Sequence, residues 1–358
     1  MSGERPARLG ELIAAESLDA LIVEGAANLR YLTGYTGSNA LVLARADGSG
    51  RLFTDFRYAT AVAEQVGDAF ECEIVTGDLL ESLAGSLTGG RVGFDDAKTT
   101  VRRRATLGEL ASSTVELVAV AGLVERLRAV KDEHEIATIT AAATLIDELF
   151  GWLFAQQLSG RSEREVMITL EHEMRLRGAS APSFGSIVAG GAHGALPHAQ
   201  PRDAPIERGT LVTFDVGALL DGYCSDCTRT VAVGEPGEHA REIHAIVLAA
   251  QLAGLDAIAP GVSGRDADAR ARAVIEEAGY GERFGHGLGH GVGLEIHEAP
   301  RLARTGGEQP LRAGNVVTVE PGVYLPGELG VRIEDLVVVR EDGAEILSSF
   351  TKELLVLD

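Results

Sequence analysis

The sequence predicts a two-domain α/β protein, α+β in its second part, and three observations carry that prediction. The chain has 358 residues, which suits two domains of roughly 100–200 residues each. Its first third alternates short apolar runs with amphipathic ones, the order of an α/β domain. Its second part repeats one β-hairpin, first as "GTLVTFDVG" at 209–217 and again as "GNVVTVEPG" at 314–322.

In the first domain, "LDALIVEG" reads as a buried strand and "ALVLARADGSGRLFTD" as two strands around a glycine-rich turn. "YATAVAEQV" and "LLESLAGSL" read as helices, "CEIVTG" and "RVGFDD" as further strands. The charged stretch "ERLRAVKDEHE" at 125–135 marks the boundary, giving domains 1–125 and 126–358. Beyond it, Ile136, Ile139, Leu145, Ile146, Leu149, Leu153 and Phe154 recur at helical spacing. A second helix starts at Ser162, where Glu165 completes a capping box, and stops near Gly178. "EHAREIHAIVLAAQLAGLDAI" and "GRDADARARAVIEEAGY" supply two more.

Composition narrows the function. A formal net charge of −21 argues against a nucleic-acid or anionic-membrane surface, which needs clustered Lys and Arg. The N-terminus has no apolar signal region, and no stretch is expected to reach the ~18 apolar residues of a membrane span. A cytoplasmic protein is expected. Cys72, Cys224 and Cys227 are too few for a disulfide scaffold, and Cys72 reads as a small buried hydrophobe. No GxSxG elbow, phosphate loop or HExxH helix is present.

The two hairpins align without a gap and pair Asp215 with Glu320. Strand side chains alternate faces. Thr213 and Asp215 therefore share one face, with Val212, Phe214 and Val216 opposite, and Asp226, Thr228 and Thr230 share a face of the returning strand. Asp215 and Asp226 can sit side by side, and the second hairpin offers Glu320, Glu334 and Arg332. Carboxylates in such apolar strands are costly unless paired or metal-bound. Solvated edge residues and a proton-sharing acid pair are alternatives, but a metal site fits four carboxylates best. Oxygen ligands with one imidazole suit Mn, Co, Fe or Zn. The segment "GHGLGHGVGLEIHE" at 285–298 places three histidines among five glycines. Its bare backbone would let a histidine approach an ion and a substrate closely.

Taken together, "ALPHAQP", "FDVGALLDGYCSDCTRT", "GHGLGHGVGLEIHE" and "TVEPGVYLPGELGVRIED" resemble the M24 metallopeptidases of pita-bread fold. Within these the chain is most similar to the Xaa-Pro aminopeptidases and the Xaa-Pro dipeptidases, or prolidases. "NLRYLTGYTGSNALVL" and "RLFTDFRY" resemble their creatinase-type N-terminal domain. The resemblance implies two divalent ions, Mn first with Co or Zn as alternatives, held by Asp215, Asp226, His290, Glu320 and Glu334. It implies that a water shared by the ions attacks the peptide bond. His198 and His297 would steady the carbonyl, Glu320 would shuttle the proton, and His286 and Arg332 would border the substrate. The implied substrates are proline-containing peptides, and the implied assembly is a homodimer. The other five histidines, His134, His172, His193, His239 and His244, are expected on the surface. The alternatives to an aminopeptidase are a prolidase, a methionine aminopeptidase-like enzyme and a non-catalytic peptide-binding module.

Overall fold

A computed structural model describes residues 4–358. The chain divides into two compact units, one ending at Arg128 and one spanning Ala129–Asp358.

The first unit is a six-stranded mixed sheet with helices. Its elements in order are α1 (Glu4–Ala15), β1 (Ala20–Val23), α2 (Ala26–Thr33), β2 (Ala40–Arg45), β3 (Gly50–Asp55), α3 (Ala59–Gln65), β4 (Phe70–Val75), α4 (Leu79–Gly85), β5 (Gly90–Asp95), α5 (Val101–Leu110), β6 (Val115–Val120) and α6 (Leu123–Arg128). The strands lie in the order β4-β3-β2-β1-β5-β6. Because β1 is central, all four residues of "ALIV" are buried, as a continuous apolar run requires. Cys72 departs from expectation. It lies on the edge strand β4 and is exposed, because only the strand's two ends reach the core.

The second unit contains two hairpin-centred sheets. After α7 (Glu133–Phe154) and α8 (Glu163–Leu176) come β7 (Ala181–Pro182), β8 (Ile187–Gly190), β9 (Thr210–Val216), β10 (Ala218–Leu220), β11 (Tyr223–Cys224) and β12 (Cys227–Val233). Then follow α9 (Glu238–Asp256), α10 (Gly264–Glu277), β13 (Gly289–Gly291), β14 (Glu298–Leu302), β15 (Val316–Val319), β16 (Gly322–Leu325), β17 (Leu329–Arg332), β18 (Asp335–Arg340), β19 (Gly343–Ile346) and β20 (Val356–Leu357). One sheet runs β20-β12-β9-β8 and the other β14-β13-β15-β18-β19. The duplication persists in the pairing. β9 pairs antiparallel with β12 and β15 with β18, so each acidic strand is matched by its own return strand.

Helix α8 begins as its sequence requires. Ser162 caps the Glu165 amide while the Glu165 side chain returns to the Ser162 amide. Its Val166, Leu170 and Met174 pack with α7 against Val212, Phe214 and Val216. These are the alternate residues of β9, so Thr213 and Asp215 are turned the other way. The early residues of α7, Ile136, Ile139 and Ala143, pack instead with Val316, Leu336 and Val338 of the second sheet. Contrary to expectation, α7 is long and apolar enough to cross a membrane, with a mean hydropathy of 1.4. Its apolar residues are consumed in these two cores, which explains the composition without a bilayer.

Candidate metal centre

Each acidic side chain of the centre comes from one of the two hairpins. Asp215 lies on β9 directly opposite Thr228 on β12, and Asp226 immediately precedes that strand. Glu320 follows β15, and Glu334 stands between β17 and β18. Oxygens of Asp215, Asp226 and Glu334 lie within 4.8 Å of one another. Glu320 joins through His290, whose Nε2 is 3.3 Å from Glu320 Oε1 and 3.7 Å from Asp226 Oδ2. The sequence thus brings together all five expected ligand side chains.

The polar accounting of this cluster does not close within the protein. Asp215 Oδ1, Asp226 Oδ1 and Glu334 Oε1 are buried and have no hydrogen-bond partner among the described residues. Their second oxygens are engaged or faced. Arg332 Nη2 donates to Asp215 Oδ2 at 2.5 Å, and Thr228 Oγ1 donates to Glu334 Oε2 at 2.7 Å. Unpaired oxygens of buried carboxylates are costly. Burial, followed by the neighbouring carboxylates, pushes Asp226 and Glu334 well above the usual carboxylate range. Burial also raises Asp215, against the pull of Arg332. Burial would raise Glu320 too, but His290, with His286 and Arg332, outweighs it and lowers the carboxyl to about 2. Such an arrangement is unfavourable for protein atoms alone and suits divalent cations, which take hard oxygen donors with an imidazole nitrogen. His290 is oriented for that use. Its Nδ1 faces the Gly291 carbonyl at 3.1 Å, so Nδ1 donates there and Nε2 is turned to the carboxylates.

The remaining site residues surround this cluster. His297 is exposed, its ring centre 4.3 Å from that of His290. Partial burial of the ring, then the charges of His290 and His198 against the opposing pull of Glu320, lower its pKa, which favours the neutral imidazole. His198 is exposed on the loop after β8, and the preceding Pro197 carbonyl accepts from Arg332 Nη1 at 3.3 Å. His286 Nδ1 donates to the Gly287 carbonyl, which leaves Nε2 to accept from the Tyr324 hydroxyl at 2.8 Å. The same hydroxyl accepts from Arg332 Nη1 at 2.8 Å.

Neighbouring backbone accounts for two of the glycines in the run. None of the five has a positive φ. A Cβ on Gly289 would lie 2.0 Å from the Thr318 carbonyl oxygen, and one on Gly291 2.3 Å from that of Ala299. The bare backbone admits the neighbouring strands β15 and β14 and thereby fixes His290 between them. The segment is gripped from the other side by α10. Arg272 donates to the carbonyls of Phe284 and His286, and Asp268 Oδ1 accepts from the Leu288 amide.

Two supporting residues, Thr228 and Tyr324, escape a reading of the sequence. Thr228 stands on the expected acidic face, so its position is visible, but its link between Arg332 and Glu334 is not. Tyr324 looks like any aromatic strand residue. Two histidines expected on the surface are buried instead. His193 pairs with Glu163, and His244 faces the core from α9.

Comparison with known proteins agrees with this architecture. Residues 137–341 match the model of metallopeptidase family M24, and residues 5–130 match the creatinase/prolidase N-terminal domain. The chain is 40% identical to the peptidase YqhT of Bacillus subtilis over 98% of its own length and 99% of that protein. It resembles the structure of an Xaa-Pro dipeptidase from Bacillus anthracis with a TM-score of 0.96 and 39% identity, covering all of each chain. It also resembles an X-Pro aminopeptidase from Thermotoga maritima, with a TM-score of 0.89 and 35% identity over 98% of this chain and 100% of that one. With its catalytic and N-terminal domains both matched, the chain belongs to the metallopeptidase family M24.

Proposed function

We propose that the chain is an Xaa-Pro aminopeptidase, which cleaves the bond between an N-terminal residue and a following proline. The proposal includes two divalent ions, Mn first, held by Asp215, Asp226, His290, Glu320 and Glu334. One observation carries it. Three buried carboxylates, each with an oxygen that has no protein partner among the described residues, lie within 4.8 Å of one another, and the His290 imidazole stands between Asp226 and a fourth carboxylate, Glu320. Four carboxylates, some of them shared, and one imidazole are a donor set that can hold two ions. When bound, such ions supply a water that ionises near neutral pH and polarise a carbonyl.

The chain's own residues complete the chemistry. His297, held neutral, has one N–H to offer a carbonyl oxygen as negative charge develops there, and His198 is a second donor. Glu320 is ionised at neutral pH and can carry a proton to the proline nitrogen, which must be protonated to leave as an amine. His286 and Arg332, joined through Tyr324, border the same space. The family resemblance further supports a homodimer in the cytoplasm, which sedimentation and cell fractionation check.

A second reading, Xaa-Pro dipeptidase, is favoured by the Bacillus anthracis match along the entire chain. The two readings share their chemistry and differ in whether a residue beyond proline is accepted. Measuring kcat/KM for Ala-Pro and Ala-Pro-Ala after Mn²⁺ loading decides between them. Preference for the tripeptide supports the aminopeptidase and preference for the dipeptide the prolidase. Cleavage of neither removes both.

A further inference from the structure

The loop that carries His198 has little regular structure of its own. It leaves β8 at Gly190, passes through a 3-10 turn at Gly191–Ala195, and returns alongside α8 from Arg202. A side chain presented from such a segment is only as well placed as the loop's anchors. One buried carboxylate anchors it at both ends. Glu163, in the first turn of α8, is 2% exposed. Its Oε1 accepts from the Gly190 amide at 3.0 Å, and its Oε2 accepts from the Arg202 amide at 3.0 Å. Between those points His193 Nδ1 meets Oε2 at 2.9 Å. The Arg202 guanidinium adds only longer contacts of 3.4 Å from a half-exposed side chain. Main-chain bonds continue the anchorage, from the Glu163 amide to Ala204 and from the Arg164 amide to Arg202. At its far point the loop touches the centre itself, where the Pro197 carbonyl accepts from Arg332.

We propose that Glu163 is a positioning residue for His198, a carboxylate clip that closes the loop 191–201 and holds the imidazole toward the substrate carbonyl. The proposal rests on the reading of His198 as a donor to that carbonyl. Glu163 makes no side-chain hydrogen bond to the five expected ligands; its partners are the two ends of the loop, His193 and the Arg202 side chain. Such a residue predicts a specific form of non-additivity, because two changes acting through one group do not add.

The test is a double-mutant cycle of Glu163→Gln with His198→Ala on the Mn²⁺-loaded enzyme, combined with amide hydrogen exchange. His198→Ala should lower kcat about 10²-fold, the scale of one lost oxyanion donor. Glu163→Gln should lower kcat roughly tenfold or more with KM little changed, and the double variant should be no slower than His198→Ala alone. In Glu163→Gln the Gly190 and Arg202 amides should exchange at least about tenfold faster while those of β12 keep their protection. An unchanged kcat in Glu163→Gln, or losses that multiply in the double variant, would overturn the clip. If His198→Ala is silent, the reading of His198 fails and the clip with it, an outcome distinct from a slow His198→Ala with additive losses. Should Glu163→Gln not fold, His193→Ala removes one partner and leaves the two amides in place. A loss that disappears in the His198→Ala background then supports the clip, and an additive one overturns it.

Discussion

Arg332 and Asp215 meet across the two hairpins, Nη2 to Oδ2 at 2.5 Å, while Asp215 Oδ1 on the same carboxylate has no partner among the described residues. The contact therefore aims one oxygen and leaves the other for something else. Arg332 performs this while also touching Thr228, Tyr324 and the Pro197 carbonyl, so one guanidinium ties the acidic cluster to the His286 side and to the His198 loop. A planar fork with several fixed donors can do this, and a lysine could not.

The first prediction concerns the unpaired oxygens. The protein should retain close to two divalent ions per chain after Mn²⁺ loading and desalting, and Asp226→Asn should retain fewer and lose activity. The substitution removes charge from the carboxylate that stands between Glu334 and His290. Elemental analysis of both proteins checks this. Only trace metal in the loaded wild type would sink the two-ion reading.

His297 should behave differently. Its ring packs against the ring of His290 rather than taking a place among the carboxylates. His297→Ala should keep its metal and lose about 10²–10³-fold in kcat. Loss of metal in this variant would mean that His297 is a ligand rather than a donor to substrate.

How far the sequence foretold this site depends on which residue is considered. Asp215 was legible because strand alternation sends Val212, Phe214 and Val216 into the core and leaves the carboxylate on the other face. His244 could have been read as buried, since it shares the apolar stripe of Ala240, Ile243 and Val247 on α9. His193 could not, because a 3-10 turn has no long periodicity and its partner Glu163 is far away in sequence. Tyr324 became meaningful only when β16 and β17 paired and Gly322 fell opposite Arg332. That register is a tertiary fact. The purpose of the glycines was also hidden, since close approach by Ala299 and Thr318 cannot be seen along the chain.

That close approach makes the next prediction. A methyl group at Gly291 meets a backbone carbonyl at 2.3 Å, and backbone cannot swing aside as a side chain can. Gly291→Ala should lose about 1–3 kcal/mol of stability and bind metal less well, because β13 carries His290. A methyl group on Gly285 would meet nothing within 4 Å, so Gly285→Ala should change stability by less than ~1 kcal/mol. Urea unfolding of the pair checks this, and equal behaviour would show that the run is loop filler.

The last prediction concerns acid stability and comes from His244. Its ring is buried and Nε2 has no partner among the described residues. Burial lowers its pKa from the ordinary 6.5 to about 4, and the Thr230 carbonyl only partly opposes that shift. A depressed folded-state pKa means that the unfolded chain binds the proton first. The associated stability is therefore complete above pH 6.5 and is lost as pH falls toward 4. At ~1.4 kcal/mol per pH unit the loss approaches about 3 kcal/mol. Other groups titrate over the same range, so the comparison must be made against a variant. His244→Gln keeps a donor for the Thr230 carbonyl but cannot take up the proton. Between pH 7 and pH 4.5 the wild type should lose about 2 kcal/mol more unfolding free energy than this variant. Parallel pH dependence of the two proteins would show that His244 takes up its proton as readily in the folded chain as in the unfolded one.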